Sequence, residues 1–165
     1  MSVTSRQLGA ALLALILILL AISLSILTYD EKSFFATFSL ASMTLTHWSA
    51  YIGGLWIAIE TPIYYFLKHR NPRKLKLMLK IHVFGNLIAF ALISVHFTYQ
   101  QSLSQFLGTG SALYVAVVSL VITGLMQRFN MMKNLTRQIK YVHSGLATAF
   151  YLLLIIHILG TFIRL

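Results

Sequence analysis

Five long apolar runs constrain this chain more than any other feature. They lie at about residues 8–28, 46–67, 78–99, 110–127 and 141–163. A helix that crosses a bilayer needs roughly 20 consecutive apolar residues, and each run is about that length. Backbone polar groups in lipid must be satisfied within their own segment, so such runs fold as helices. The charged share is 10%, against roughly 25% in soluble domains. The sequence therefore predicts an all-α integral membrane protein, a bundle of five transmembrane helices forming one domain over residues 1–165. Arg6 precedes the first run as in a signal peptide. The run is longer than a signal core and has no small-x-small cleavage site, so it is read as a retained helix.

The loops set the orientation. "KHRNPRKLKLMLK" follows the second run and "RFNMMKNLTRQIK" the fourth. With Arg6, they place 11 of the 13 lysines and arginines on one side, leaving Lys32 and Arg164 on the other. The positive-inside rule predicts a cytoplasmic N-terminus, an external C-terminus and a multi-pass protein of the cell membrane. The net charge of +10 is then a topological signal and does not imply nucleic acid. No cysteine is present, which excludes disulfides, thiolate-held iron–sulfur clusters and cysteine-attached haem. Gly53-Gly54 and "GTG" at 108–110 sit in or beside spans and are read as helix packing or a turn.

Four of the six histidines stand inside apolar runs in a repeated pattern. His82 and His96 are fourteen residues apart in the third run, and His143 and His157 are fourteen apart in the fifth. Fourteen helical steps return to within about 40° of the start and rise about 21 Å, so each pair shares one face. The third and fifth helices run in the same direction. His82 and His143 sit three or four residues from the cytoplasmic ends, and His96 and His157 lie toward the outer ends. The pattern predicts two stacked sites, each taking one imidazole from each helix. A haem iron with two axial histidines fits such a site. Zinc would ask for four ligands, and copper lacks thiolate or methionine at these depths.

Other residues are assigned around two haem b groups. Gly85 and Gly160 each follow a histidine by three and leave room for a porphyrin, or equally for close helix packing. Ala89 and Phe150 stand midway between the histidines of their helices, with Phe150 expected between the haems or simply in the core. Lys80, Arg137 and Lys140 are candidates for the inner propionates, and Arg164 for the outer ones.

Two histidine pairs fourteen apart on the third and fifth helices, an inside N-terminus and two basic loops resemble the transmembrane domain of ferric reductases and NADPH oxidases. The resemblance covers about residues 46–163. It implies an inner haem between His82 and His143 and an outer haem between His96 and His157. That class usually has six helices and often a cytoplasmic flavin and nicotinamide domain. The five runs here carry no such domain, which implies a separate electron donor. Cytochrome b subunits of quinol-oxidising complexes share similarly spaced histidine pairs and stand as an alternative.

The expected function is transmembrane electron transfer. A soluble flavin reductase or a membrane quinol is the donor, and oxygen, ferric iron or a redox protein is the external acceptor. Glu60, the one acid within a span, is a candidate for binding a quinone headgroup or relaying a proton. Its other reading is a partner for Lys80 or for a backbone group near Pro62. His47 with Trp48 either lines an outer acceptor site or anchors the membrane interface. A haem-free transporter or scaffold that uses its histidines for packing is the reading from another class, and the oligomeric state is open.

Overall fold

The structure is a computed structural model describing residues 5–29, 34–41, 43–70, 72–102 and 108–163. All five apolar runs are helical: α1 (Ser5–Thr28), α3 (Leu45–Arg70), α4 (Leu75–Ser102), α5 (Thr109–Phe129) and α6 (Thr136–Ile163). The sequence did not predict the elements between α1 and α3. These are a one-turn helix α2 (Phe34–Thr37) and a short antiparallel hairpin of β1 (Ser39–Leu40) and β2 (Met43–Thr44). Among the described residues, four stretches are long and apolar enough to cross a membrane: Leu8–Thr28, Leu75–Gln100, Thr109–Phe129 and Lys133–Gly160. The chain is thus an all-α, multi-pass membrane protein. At 26 residues α3 extends about 39 Å, but Glu60, His47 and a basic last turn make it less apolar than the others.

The chain divides into two compact units, Met1–Leu103 and Ser104–Leu165. In the first, α4 packs against both α1 and α3. From Leu8 onward, the buried residues of α1 are Ala14, Ala21 and Thr28. They recur every seventh residue, the period of helices that wrap with a left-handed twist. Their small side chains let α1 approach closely, while Leu12, Ile16, Leu19 and Ile26 point outward as a lipid-facing surface would. Between α3 and α4, Pro72–Lys74 form a single 3-10 turn. This tight reversal makes the two helices antiparallel. Their contacts run in order from the turn: Glu60 to His82, Trp56 to Gly85, Gly53 to Ala89 and His47 to His96.

The second unit is a helical hairpin of α5 on α6. Asn130 closes α5 in the left-handed conformation (φ 50, ψ 43), which asparagine tolerates better than most residues. A 3-10 turn over Lys133–Leu135 then leads into α6.

Both basic loops are shorter than the sequence suggested. Lys76 and Lys80 lie in the first turns of α4, and Arg137 and Lys140 in those of α6. Lys, Arg, Leu and Met all favour helix, so the helices continue past the point where the apolar run begins. In consequence His82 and His143 stand seven residues into their helices rather than three or four.

Candidate functional site

The two helices that carry the paired histidines match in length and in histidine position. Helices α4 and α6 are each 28 residues long, and each follows a single 3-10 turn. Counting from the helix start, both carry histidine at positions 8 and 22. Each imidazole is therefore about 10 Å from its nearer helix end.

Within the first unit, α3 supplies the partners of both α4 histidines. The Glu60 carboxylate lies 2.9 Å from His82 Nδ1. Glu60 is only 9% exposed, and a buried carboxylate persists only when it is paired. The sequence offered Lys80 or a backbone group as its partner; the structure makes that partner His82, while Lys80 is exposed. Tyr64, one helical turn beyond Glu60, stacks on the His82 ring with centroids 4.3 Å apart and planes 14° apart. The Asn86 amide approaches the same Nδ1 at 3.3 Å. The shorter, charge-assisted contact decides the tautomer. Nδ1–H donates to Glu60, and the lone pair of the ring resides on Nε2.

At the other end of the same helix pair, His47 meets His96 edge-on with centroids 5.1 Å apart. His47 is itself engaged at both nitrogens. Gln100 Nε2 lies 3.4 Å from His47 Nε2, and Thr44 Oγ1 lies 2.7 Å from His47 Nδ1. Trp48 does not join this group, because its indole N–H donates to the Leu40 carbonyl at 3.0 Å and pins the hairpin.

In the second unit a device the sequence reading missed serves both α6 histidines. Thr123 Oγ1 lies 2.8 Å from His143 Nδ1, and Thr109 Oγ1 lies 3.1 Å from His157 Nδ1. Beside each threonine is a glycine against the same imidazole. A Cβ on Gly124 would sit 3.4 Å from His143 Cε1, and one on Gly110 would sit 3.3 Å from His157 Cε1. The single proton of the Thr123 hydroxyl goes to the Ser119 carbonyl at 2.7 Å. Toward His143 the hydroxyl is consequently the acceptor, and the His143 lone pair is again on Nε2. The signal was in the sequence: Thr-Gly occurs at 109–110 and again at 123–124, fourteen residues apart like the histidines. "GTG" was read as packing or a turn, whereas its last two residues cradle an imidazole.

No protein family, curated protein or solved structure matches the chain. The local chemistry must therefore carry the functional reading. Among the described residues no group of three or more His, Cys, Asp and Glu gathers as a metal centre. A bis-histidine iron asks for only two side chains, the macrocycle supplying the rest. Metal-binding histidines nearly always give their other ring N–H to a carboxylate or another acceptor, which fixes the tautomer and turns the basic nitrogen toward the metal. Glu60 and Thr123 do this for His82 and His143. The residues present fit haem on this ground.

The remaining predicted residues fall into distinct settings. The indole of Trp56 fills the space beside Gly85, where an added Cβ would come within 2.5 Å of the ring. Of the two glycine readings, close helix packing describes Gly85. Gly160 has open space at the Cβ position. Phe150 and Ala89 are each 1% exposed. Lys140 and Arg137 are exposed on α6, with the Arg137 guanidinium 5.8 Å from the Tyr141 ring. Arg164 and Lys32 lie outside the described residues.

Proposed function

We propose that the protein conducts electrons across a membrane through two b-type haems. In this reading His82 and His143 are the axial ligands of an inner haem, and His96 and His157 those of an outer one. The five helices all span, with the N-terminus and basic turns in the cytoplasm and the C-terminus outside. The observation that carries the reading is the identical placement of histidines in two equal helices, with Nδ1 of both inner histidines held by an acceptor of its own unit. Bound haem would supply a one-electron couple at each depth. A bis-histidine iron has no open position, so it suits electron transfer rather than binding of substrate at the metal.

The chain's own residues do three things. Glu60 and Thr123 orient imidazoles and keep their Nε2 basic. Burial of Ala89 and Val95 in the first unit and of Phe150 in the second keeps water from those positions. The exposed Lys80, Arg137 and Lys140 offer cations to the inner propionates. A soluble flavin reductase or a membrane quinol gives the electrons, and oxygen, ferric iron or a redox protein outside receives them.

The test is a dithionite-reduced-minus-oxidised spectrum of protein purified from haem-sufficient cells. Two b-type haems per chain are expected, and an absence of b-type absorbance overturns the reading. Quinol added alone separates the donors: rapid reduction points to quinol, and no reduction to a soluble reductase.

A further inference from the structure

The braces on the four histidines differ in charge. Among the described residues the one carboxylate is Glu60, and it holds His82 at 2.9 Å. Its counterpart in α6, His143, rests on a neutral hydroxyl, as does His157, and His96 is flanked by the imidazole of His47. A carboxylate accepting the Nδ1–H bond draws the proton toward itself and makes Nε2 a stronger donor to a metal. It also places a full negative charge beside the site. Both effects stabilise the oxidised iron and lower the potential.

Opposing charges are present, and their position decides the balance. Lys80 precedes His82, and Arg137 and Lys140 precede His143; in the proposed topology all three lie on the inner side, where they would raise the potential. All three are exposed, where salt and water screen them over about 8–10 Å. Glu60 is buried and bonded directly to the ligand. A charge in low dielectric acts several times more strongly than one in water.

We infer that Glu60 sets the inner haem at a lower potential than the outer one, so that the step from the inner iron to the outer is downhill. The inference rests on the proposed di-haem reading. The transfer moves one electron from the inner iron to the outer, with no bond made or broken and no proton exchanged. Glu60 acts through His82 and is a positioning residue.

Potentiometric titration of the purified protein, followed at the b-type bands, tests this. Wild type should show two one-electron steps. His96→Ala should lose the outer haem and keep the lower step; retention of the upper step instead overturns the inference. Glu60→Gln keeps the shape and a hydrogen-bond acceptor while removing the charge. It should raise the lower step by at least the equivalent of a tenfold change in the reduced-to-oxidised ratio, about 59 mV for one electron, and leave the upper step in place. A lower step that does not move, with both haems bound, overturns the inference. Should Glu60→Gln lose haem, Glu60→Asp decides: the charge is kept, and the lower step must stay low. If both variants lose the inner haem, the order of steps in wild type and His96→Ala still decides. Wild-type protein without haem would instead overturn the proposed function itself.

Discussion

The α3–α4 pair and the α5–α6 pair solve the same problem in different ways. Each presents two histidines fourteen residues apart and braces them from the neighbouring helix. The α5–α6 pair uses one device twice. Thr-Gly meets an imidazole at His157 and again, fourteen residues on, at His143. Fourteen residues are close to four helical turns, so nearly the same face of each helix returns to its neighbour. In an antiparallel pair with a left-handed twist, contacts recur every seven residues, so fourteen residues restore the same neighbours. The α3–α4 pair instead uses a separate partner at each end, Glu60 with Tyr64 at one and His47 at the other. A repeated brace treats its two histidines alike. In the proposed di-haem reading, a charge difference between the two sites would come from α3, which carries Glu60.

The strongest test of that comparison removes ligands. His143→Ala and His82→Ala should each cost the inner haem, halving the haem per chain from two to one by pyridine haemochrome. His157→Ala and His96→Ala should do the same at the outer site. If His143→Ala and His82→Ala remove different spectral components, the pairing across α4 and α6 is wrong.

Next in size are the glycines that let α3 and α4 close on each other. A Cβ on Gly53 would lie 2.8 Å from the Ala89 carbonyl oxygen, and backbone cannot turn aside as a side chain can. Gly53→Ala should cost about 1–3 kcal/mol through overpacking, read as a lower thermal midpoint in detergent. Gly145→Ala in α6 meets nothing within 4 Å and should be neutral or stabilising by up to about 1 kcal/mol. Equal losses at both positions would mean that α3–α4 is no tighter than its counterpart.

Much of this was legible in the sequence because the governing signals are periodic. Apolar length fixed the five helices to within about a turn or two, since lipid demands continuous runs. The histidine interval was visible for the same reason. The Thr-Gly interval was equally periodic but went unread, because threonine and glycine are common in apolar helices and acquire meaning only beside a histidine. Glu60 could be flagged as a buried acid, yet its partner could not be named. The α3–α4 register depends on where the turn falls, and Pro72–Lys74 makes that turn shorter than the basic run suggests. The hairpin at Ser39–Thr44 carries no strong strand signal and is held by tertiary contacts such as Trp48 to Leu40.

A smaller effect is expected at Thr123. Thr123→Val keeps the shape of the side chain and removes the acceptor for His143 Nδ1–H. Loss of such a support typically costs 10–100-fold in metal affinity, so the inner haem should be released that much faster to an apo-haem scavenger. Thr123→Ser restores the hydroxyl and should restore retention. An equal loss in Thr123→Ser would assign the effect to packing and remove the hydrogen bond from the account.

The smallest effect decides whether the second unit is a true repeat. Gly110→Ala would bring a Cβ to 3.3 Å from His157 Cε1, and Gly124→Ala to 3.4 Å from His143 Cε1. Each contact is tight enough that the imidazole must yield by a few tenths of an ångström, and each alanine also favours the helix by up to about 1 kcal/mol. The two terms oppose, so the fold should hold while the ring alone shifts. Both variants should keep two haems. Gly110→Ala should alter only the outer low-spin ferric signal in electron paramagnetic resonance, and Gly124→Ala only the inner one, by similar amounts. Thr109 and Gly110 begin α5, whereas Thr123 and Gly124 lie in its last two turns. If the start of α5 were less rigid than its last two turns, Gly110→Ala would be silent because the helix start gives way. Matching shifts at the two haems would show that the α5–α6 contact repeats with the same stiffness at both depths.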